Sequence, residues 1–297
     1  MAHNARMKNS PPPFPGDLTQ AWQTLQQYSD QGQQLPADAT RLAFADPEFL
    51  LRRATRGIRL ELEMLKPELD LGAQGIEHTI VVFGSARFVS PEQAAEALEQ
   101  ARHSGDPKAL KYATLAQKNA KWYAQARRFA HLVASHAMQQ TPAQRLYICT
   151  GGGPGIMEAA NRGAHDAGAP TIGLNITLPH EQHTNPYVTP ALNFKFHYFA
   201  ARKMHFMMRA KALVAFPGGF GTLDELFEII TLVQTRKAQA LPIVLFGTDY
   251  WKRLINFEVL IEEGMIAPED MQLLHFCDDP QDAWEHLRRF LPFAATG

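Results

Sequence analysis

From residue 76 onward, short apolar runs alternate with longer segments whose apolar positions return every three or four residues. The short runs are the mark of strands buried on both faces, and the longer segments of amphipathic helices. Strands are predicted at Thr79–Gly84, Arg145–Cys149, Thr171–Asn175, Phe194–Tyr198, Ala212–Phe216, Ile243–Phe246 and Leu273–Phe276. Helices are predicted over 91–103, 108–139, 154–167, 200–210, 221–237, 249–263 and 280–290. Such alternation predicts an α/β fold, a Rossmann-like doubly wound parallel sheet with helices on both faces.

Upstream of residue 76 only the helical rhythm is present. Leu18, Trp22, Leu25 and Tyr28 follow Asp17, a candidate helix cap, and Phe49, Leu50, Ile58, Leu62 and Leu65 follow Asp46-Pro47. The run Asn9-Ser10-Pro11-Pro12-Pro13-Phe14-Pro15-Gly16 suits neither helix nor sheet. Two segments are therefore expected: residues 1–75, an extended lead-in plus a helical extension, and residues 76–297, the α/β domain. Tyr112, Leu115, Trp122, Phe129 and Leu132 mark a long helix that can pack within the fold or against a partner chain.

Composition narrows the function classes. With 29 Lys+Arg against 30 Asp+Glu, the net charge of −1 offers no global positive field, so no nucleic-acid partner is expected. The 2 cysteines, Cys149 and Cys277, lie in apolar runs and form no metal or disulfide pattern, which fits a reducing compartment. Residues 1–16 hold no signal-peptide core, and no later segment approaches the roughly 20 apolar residues of a membrane span. A soluble cytoplasmic protein with no membrane partner is the expectation.

In open α/β sheets ligands bind at the carboxyl ends of strands, so the strand-to-helix junctions carry the candidate chemistry. In Val81-Val82-Phe83-Gly84-Ser85-Ala86-Arg87, Gly84 and Ser85 leave the strand without a bulky side chain and permit a ligand to approach the backbone. In Cys149-Thr150-Gly151-Gly152-Gly153-Pro154-Gly155-Ile156-Met157-Glu158, consecutive glycines open a helix, either as an anion nest of backbone N–H groups or as a tight turn. In Ala215-Phe216-Pro217-Gly218-Gly219-Phe220-Gly221-Thr222-Leu223-Asp224-Glu225, Thr222 adds a hydroxyl to a second glycine loop and Glu225 follows about one turn later. A carboxylate beside an anion site is awkward unless it serves the ligand; the simpler reading is dipole complementation, which Asp224 already supplies. Neither loop fits a P-loop or Gly-x-Gly-x-x-Gly, which removes the main support for ATPase and NAD-dehydrogenase readings.

The segment Phe196–Arg209 places Arg202 and Lys203 at the start of a Met- and Phe-rich helix. Cations there oppose the helix dipole, so either an anion or carboxylate nearby answers them or they form a solvated basic face. His180-Glu181-Gln182-His183 has two histidines but no third ligand and flanking prolines against a helix, so no metal is expected.

Taken together, Gly151-Gly152-Gly153-Pro154-Gly155-Ile156-Met157-Glu158, Arg202-Lys203 and the complete Pro-Gly-Gly-x-Gly-Thr-x-x-Glu string of residues 217–225 resemble the LOG family. Its members, long labelled possible lysine decarboxylases, are cytokinin riboside 5′-monophosphate phosphoribohydrolases. The resemblance spans roughly residues 76–265. It implies a nucleotide N-glycosidase that hydrolyses a purine nucleoside 5′-monophosphate, AMP or a cytokinin riboside 5′-monophosphate, to free base and ribose 5-phosphate, with no cofactor and as a homodimer. It matches Arg202 and Glu225 to the catalytic pair. Lys203, Gly218, Gly219, Gly221 and Thr222 match nucleotide-binding positions, with Glu181 and Thr231 as further substrate contacts; Gly84, Ser85, Gly152 and Gly153 complete the candidate set.

The chemistry agrees. Breaking a glycosidic bond builds positive charge on the ribose, which a fixed carboxylate stabilises, while remote phosphate binding orients the sugar. The alternative is a non-catalytic nucleotide-binding protein of the same fold. A pyridoxal-phosphate enzyme is poorly supported, because Lys203 has no distinct Schiff-base context. The chain departs from short family members in its 75 N-terminal residues and in residues 86–144, which lie between the first two strands.

Overall fold

The computed structural model describes residues 17–33, 41–178 and 183–291. The chain divides into two compact units, 1–62 and 63–297, a break that falls earlier than the 75/76 change of rhythm in the sequence. In the first unit α1 (Asp17–Asp30) and α2 (Pro47–Leu51) are followed by the start of α3 (Arg56–Ala73). Asp46 caps α2, accepting from the backbone N–H groups of Glu48 and Phe49 at 3.0 and 3.2 Å. The lead-in expected at residues 1–16 lies outside the described residues.

The second unit holds all seven predicted strands, each within a residue or two of its expected bounds. They are β1 (His78–Phe83), β2 (Leu146–Thr150), β3 (Ile172–Ile176), β4 (Asn193–Phe196), β5 (Ala210–Ala215), β6 (Ile243–Phe246) and β7 (Leu274–Cys277). Every pairing is parallel and the order is β4-β3-β2-β1-β5-β6-β7. Central strands β2, β3 and β6 are buried at every position, whereas edge strand β4 alternates exposed and buried residues. This is the doubly wound sheet expected. From β1 the chain steps outward to β2, β3 and β4, then returns to place β5 on the other side of β1. The switch point between β1 and β5 is where such a sheet opens a crevice.

The helices are α4 (Pro91–Ser104), α5 (Pro107–Ala137), α6 (Ile156–Asp166), α7 (Phe199–Met208), α8 (Phe220–Gln234), α9 (Thr248–Leu254), α10 (Phe257–Glu262) and α11 (Pro280–Arg288). The single helix predicted over 249–263 is two, because Ile255 and Asn256 take extended backbone between α9 and α10. In α5, Phe129 is buried and Trp122 and Leu132 pack on the core, whereas Tyr112 and Leu115 near its start are exposed. Among the described residues no helix is long and apolar enough to cross a membrane.

The part of α3 from Glu63 onward fixes α7. Glu63 accepts from the backbone N–H groups of His197 and Tyr198 at 2.9 and 3.0 Å, which fixes the chain as it enters α7, a helix whose N-cap Tyr198 makes no side-chain cap of its own. At the far end Arg209 donates from Nη2 to Glu68 Oε1 and from Nε to the Ile76 carbonyl, both at 2.8 Å.

Candidate active site

Three loops converge at the switch point. The exits of β1 and β5 are tied by hydrogen bonds from Phe216 N to Phe83 O at 2.9 Å and from Ser85 N to Pro217 O at 3.0 Å. The entry to α6 joins them through Ile156 N, which donates to Ser85 O at 3.0 Å. Two glycines make this junction sterically feasible. A Cβ at Gly84 would lie 2.7 Å from three side-chain atoms of Ile156, so that glycine serves helix packing as well as opening the strand end. Gly155 has φ +72° and would drive a Cβ into the Ser85 carbonyl.

The two glycine loops have different fates. Gly152 N donates to Thr150 Oγ1 at 2.9 Å, Asn185 N donates to Gly152 O at 2.8 Å, and Asn185 Nδ2 donates to Gly153 O at 3.0 Å. A buried Asn161 secures the arrangement, accepting from Thr150 Oγ1 and Asn185 Nδ2 at 2.7 and 2.9 Å. Gly152 and Gly153 are thus bound into internal structure, and Gly151 alone of the three lines the crevice.

The loop after β5 is open. Gly218, Gly219, Gly221 and Thr222 all line the crevice, and α8 begins at Phe220 with no side-chain cap on its N–H groups. Thr222 folds over Gly218, where a Cβ would overlap its side chain, and Tyr250 Oη donates to the Gly218 carbonyl at 2.5 Å. Gly219 and Gly221 have ordinary φ values, and a Cβ at either meets nothing within 4 Å. No packing demand accounts for glycine at those two positions.

Arg202 of α7 and Glu225 of α8 form an ion pair from Nη2 to Oε1, with side chains only 11% and 13% exposed. Phe199 and Phe206 flank the guanidinium, each with its ring centroid 5.4 Å away. Burial pushes the Glu225 carboxyl up to about 7; the positive charge of Arg202 opposes the rise and Asp224 adds to it. Arg202 Nε is buried and has no hydrogen-bond partner among the described residues. The site therefore holds a carboxylate that changes charge near neutral pH beside an unused buried donor, a costly arrangement typical of functional centres.

Lys203 turns the other way. Its ammonium meets Asp224 and Glu228 at 2.8 and 2.9 Å and lines a separate groove of about 540 Å³ that also includes Thr231. Burial depresses its pKa, but the two carboxylates outweigh that and hold it above the usual range. Thr231 Oγ1 donates to the Phe227 carbonyl at 2.7 Å. Lys203 and Thr231 thus lie apart from the Arg202–Glu225 crevice, and Glu181, with His180, lies outside the described residues. Among the described residues no three His, Cys, Asp or Glu side chains form a metal cluster.

The crevice measures about 830 Å³ and brings together Gly84, Ser85, Arg202, Gly218, Gly219, Gly221, Thr222 and Glu225. It also recruits Arg87, Asn119, Trp122, Asn175 and Tyr250, which the motifs did not single out as site residues. Arg87 stood inside the first junction segment and Trp122 on the apolar face of a predicted helix; Asn119 and Asn175 carried no signal.

Residues 157–287, from α6 to α11, match the family model described as possible lysine decarboxylase. A probable cytokinin riboside 5′-monophosphate phosphoribohydrolase of Oryza sativa subsp. japonica is 29% identical over 149 residues, 48% of this chain and 68% of that protein. A cytokinin riboside 5′-monophosphate phosphoribohydrolase of Arabidopsis thaliana is 28% identical over 146 residues, 48% of this chain and 66% of that protein. Among solved structures, a molybdenum cofactor binding protein from the phototrophic bacterium Rippkaea orientalis covers 72% of this chain and 96% of its own, at 18% identity and TM-score 0.43. A Moco carrier protein from Chlamydomonas reinhardtii covers 72% and 98%, at 20% identity and TM-score 0.43. Likeness at that level bears on neither ligand nor activity. The resemblance to the LOG family read from the motifs is borne out over the matched α/β segment.

Proposed function

We propose that the chain hydrolyses the N-glycosidic bond of a purine nucleoside 5′-monophosphate, AMP or a cytokinin riboside 5′-monophosphate, giving free base and ribose 5-phosphate. The observation that carries this reading is the buried Arg202–Glu225 pair sharing one crevice with the uncapped, glycine-rich start of α8. The helix N-terminus and its open glycines suit a phosphate. As the C1′–N bond breaks, its electron pair goes to the base nitrogen and positive charge grows on the ribose. Ionised Glu225 stabilises that charge and takes a proton from the attacking water. The water oxygen bonds to C1′, and the proton ends on the departing base. Arg202 holds the carboxylate in place and keeps part of it ionised.

The expected assembly is a homodimer, measurable by light scattering in solution. Chromatographic product analysis on AMP, CMP, GMP, IMP and N6-prenylated AMP tests the reaction itself. Base and ribose 5-phosphate in equal amounts from the adenine nucleotides support it; nucleotide binding without any base release leaves a binding protein instead.

Glycine chemistry in the α8 loop supplies a further expected result. Gly221 sits in the first turn of α8 with open space around it, so Gly221→Ala is expected to raise stability by about 0.5–1 kcal/mol. The same methyl group intrudes where the phosphate approaches the backbone, so KM for AMP is expected to rise on the order of 10-fold. Thermal melts paired with steady-state kinetics check both signs, and an unchanged KM in the stabilised variant contradicts the loop's assigned role.

A further inference from the structure

The charges lining the crevice leave one group without an assignment. Among the described residues, its ionisable Arg, Lys, Asp and Glu side chains are Arg87, Arg202 and Glu225. Arg202 and Glu225 are paired with one another, and Lys203 is committed to Asp224 and Glu228 in a different groove. Arg87 is exposed, and its guanidinium makes no hydrogen bond or ion pair with any described residue. Its backbone N–H donates to Ser85 Oγ at 3.1 Å, which fixes the start of the arm two residues beyond the Ser85 N to Pro217 O link. The arm therefore begins beside the loop that carries Gly218 and Gly219 and shares its crevice.

A phosphate monoester brings about −1.5 to −2 charges at neutral pH. The N-terminus of α8 answers with a dipole equivalent to roughly half a charge, and the Arg202–Glu225 pair adds only a fraction of a charge while its carboxylate is partly ionised. Among the described residues, the cation of the crevice wall without a partner is Arg87. Its planar fork of donors matches two phosphate oxygens, a geometry that backbone amides alone do not supply. We propose that Arg87 receives the 5′-phosphate and makes the site select nucleotides over unphosphorylated nucleosides, an inference that rests on the nucleotide reading above.

The test compares wild type, Arg87→Ala and Arg87→Lys on AMP and adenosine. It adds calorimetric binding of ribose 5-phosphate to the wild-type and Arg87→Ala proteins. Because the Arg87 side chain holds no structural contact among the described residues, the variants should melt with the wild type. Arg87→Ala is expected to raise KM for AMP and weaken ribose 5-phosphate binding by on the order of 10- to 100-fold. Its kcat/KM for AMP should fall by at least that factor while any rate on adenosine does not fall with it, and Arg87→Lys should be intermediate. Equal losses on AMP and adenosine, or unchanged ribose 5-phosphate binding in Arg87→Ala, overturn the proposal. Absence of measurable ribose 5-phosphate binding to the wild type overturns it as well. If the wild type binds ribose 5-phosphate through Arg87 but releases no base from any nucleotide, the hydrolase reading fails and the anion role of Arg87 stands.

Discussion

Glu225→Gln is expected to lower kcat for base release from AMP on the order of 1000-fold or more, while the protein stays folded. Glutamine keeps the volume and an oxygen that can accept from Arg202, so the packing around the pair survives. It cannot carry the negative charge that answers a cationic ribose, nor take a proton from water. The pH profile of the wild type adds a second signature. With the Glu225 carboxyl up at about 7 through burial, the ionised fraction, and kcat/KM with it, should drop about tenfold per pH unit below neutrality. An unperturbed carboxylate would hold the rate flat down to about pH 4.5.

Stability carries the same shift with a defined sign. The native state holds this proton more tightly than the unfolded chain, so the contribution is fully present below pH 4.5 and is lost as pH rises through about 7. Glu225→Gln has no such proton to lose, so its melting temperature should gain on the wild type's across that window. A variant retaining even a tenth of wild-type turnover removes Glu225 from the chemistry. An acid limb that stays near pH 4.5 removes the raised carboxyl from it.

The strands were the most legible part of the chain. Burial on both faces favours a near-continuous apolar run in a parallel strand, so stretches such as Ile80–Phe83 name themselves. The break between α9 and α10 was not legible, because Trp251, Leu254, Phe257 and Leu260 continue a helical period across it. Glycine runs showed the same ambiguity from the other side. Gly152-Gly153 and Gly218-Gly219 look alike in sequence, yet Asn185 and Thr150, one of them 32 residues from Gly153, claim the polar groups of the first pair. Neighbouring residues can also serve opposite faces. Successive helix positions point about 100° apart, so Arg202 reaches the crevice and Lys203 the outer groove, which adjacency in the motif conceals. Arg87 and Trp122 come to one cavity from separate elements, a proximity set by the β1–β5 switch point and by no local pattern.

Gly155→Ala is expected to destabilise the protein by about 3–5 kcal/mol, dropping the melting temperature on the order of 10 °C. Two independent penalties meet at this position. The backbone has φ +72° and ψ −129°, a region closed to residues with a Cβ and strained by about 1–3 kcal/mol when one is forced there. The new methyl would also lie 2.7 Å from the Cα and carbonyl carbon of Ala86 and overlap the Ser85 carbonyl. Those are backbone atoms, so no side-chain rotation relieves the clash. Relief requires the β1 exit to move away from α6, which breaks the Ile156 N to Ser85 O hydrogen bond and shifts Gly84, Ser85 and Arg87 in the crevice wall. Base release should therefore fall together with stability, unlike Gly221→Ala, in which the two move in opposite directions. Gly105→Ala is the control: φ is +65° at the end of α4, but a Cβ there meets nothing within 4 Å, so only the conformational cost of about 1 kcal/mol applies. If Gly155→Ala melts no lower than Gly105→Ala, the close approach of the β1 exit to the start of α6 is not a feature of the folded protein, and the crevice built on that junction loses its floor.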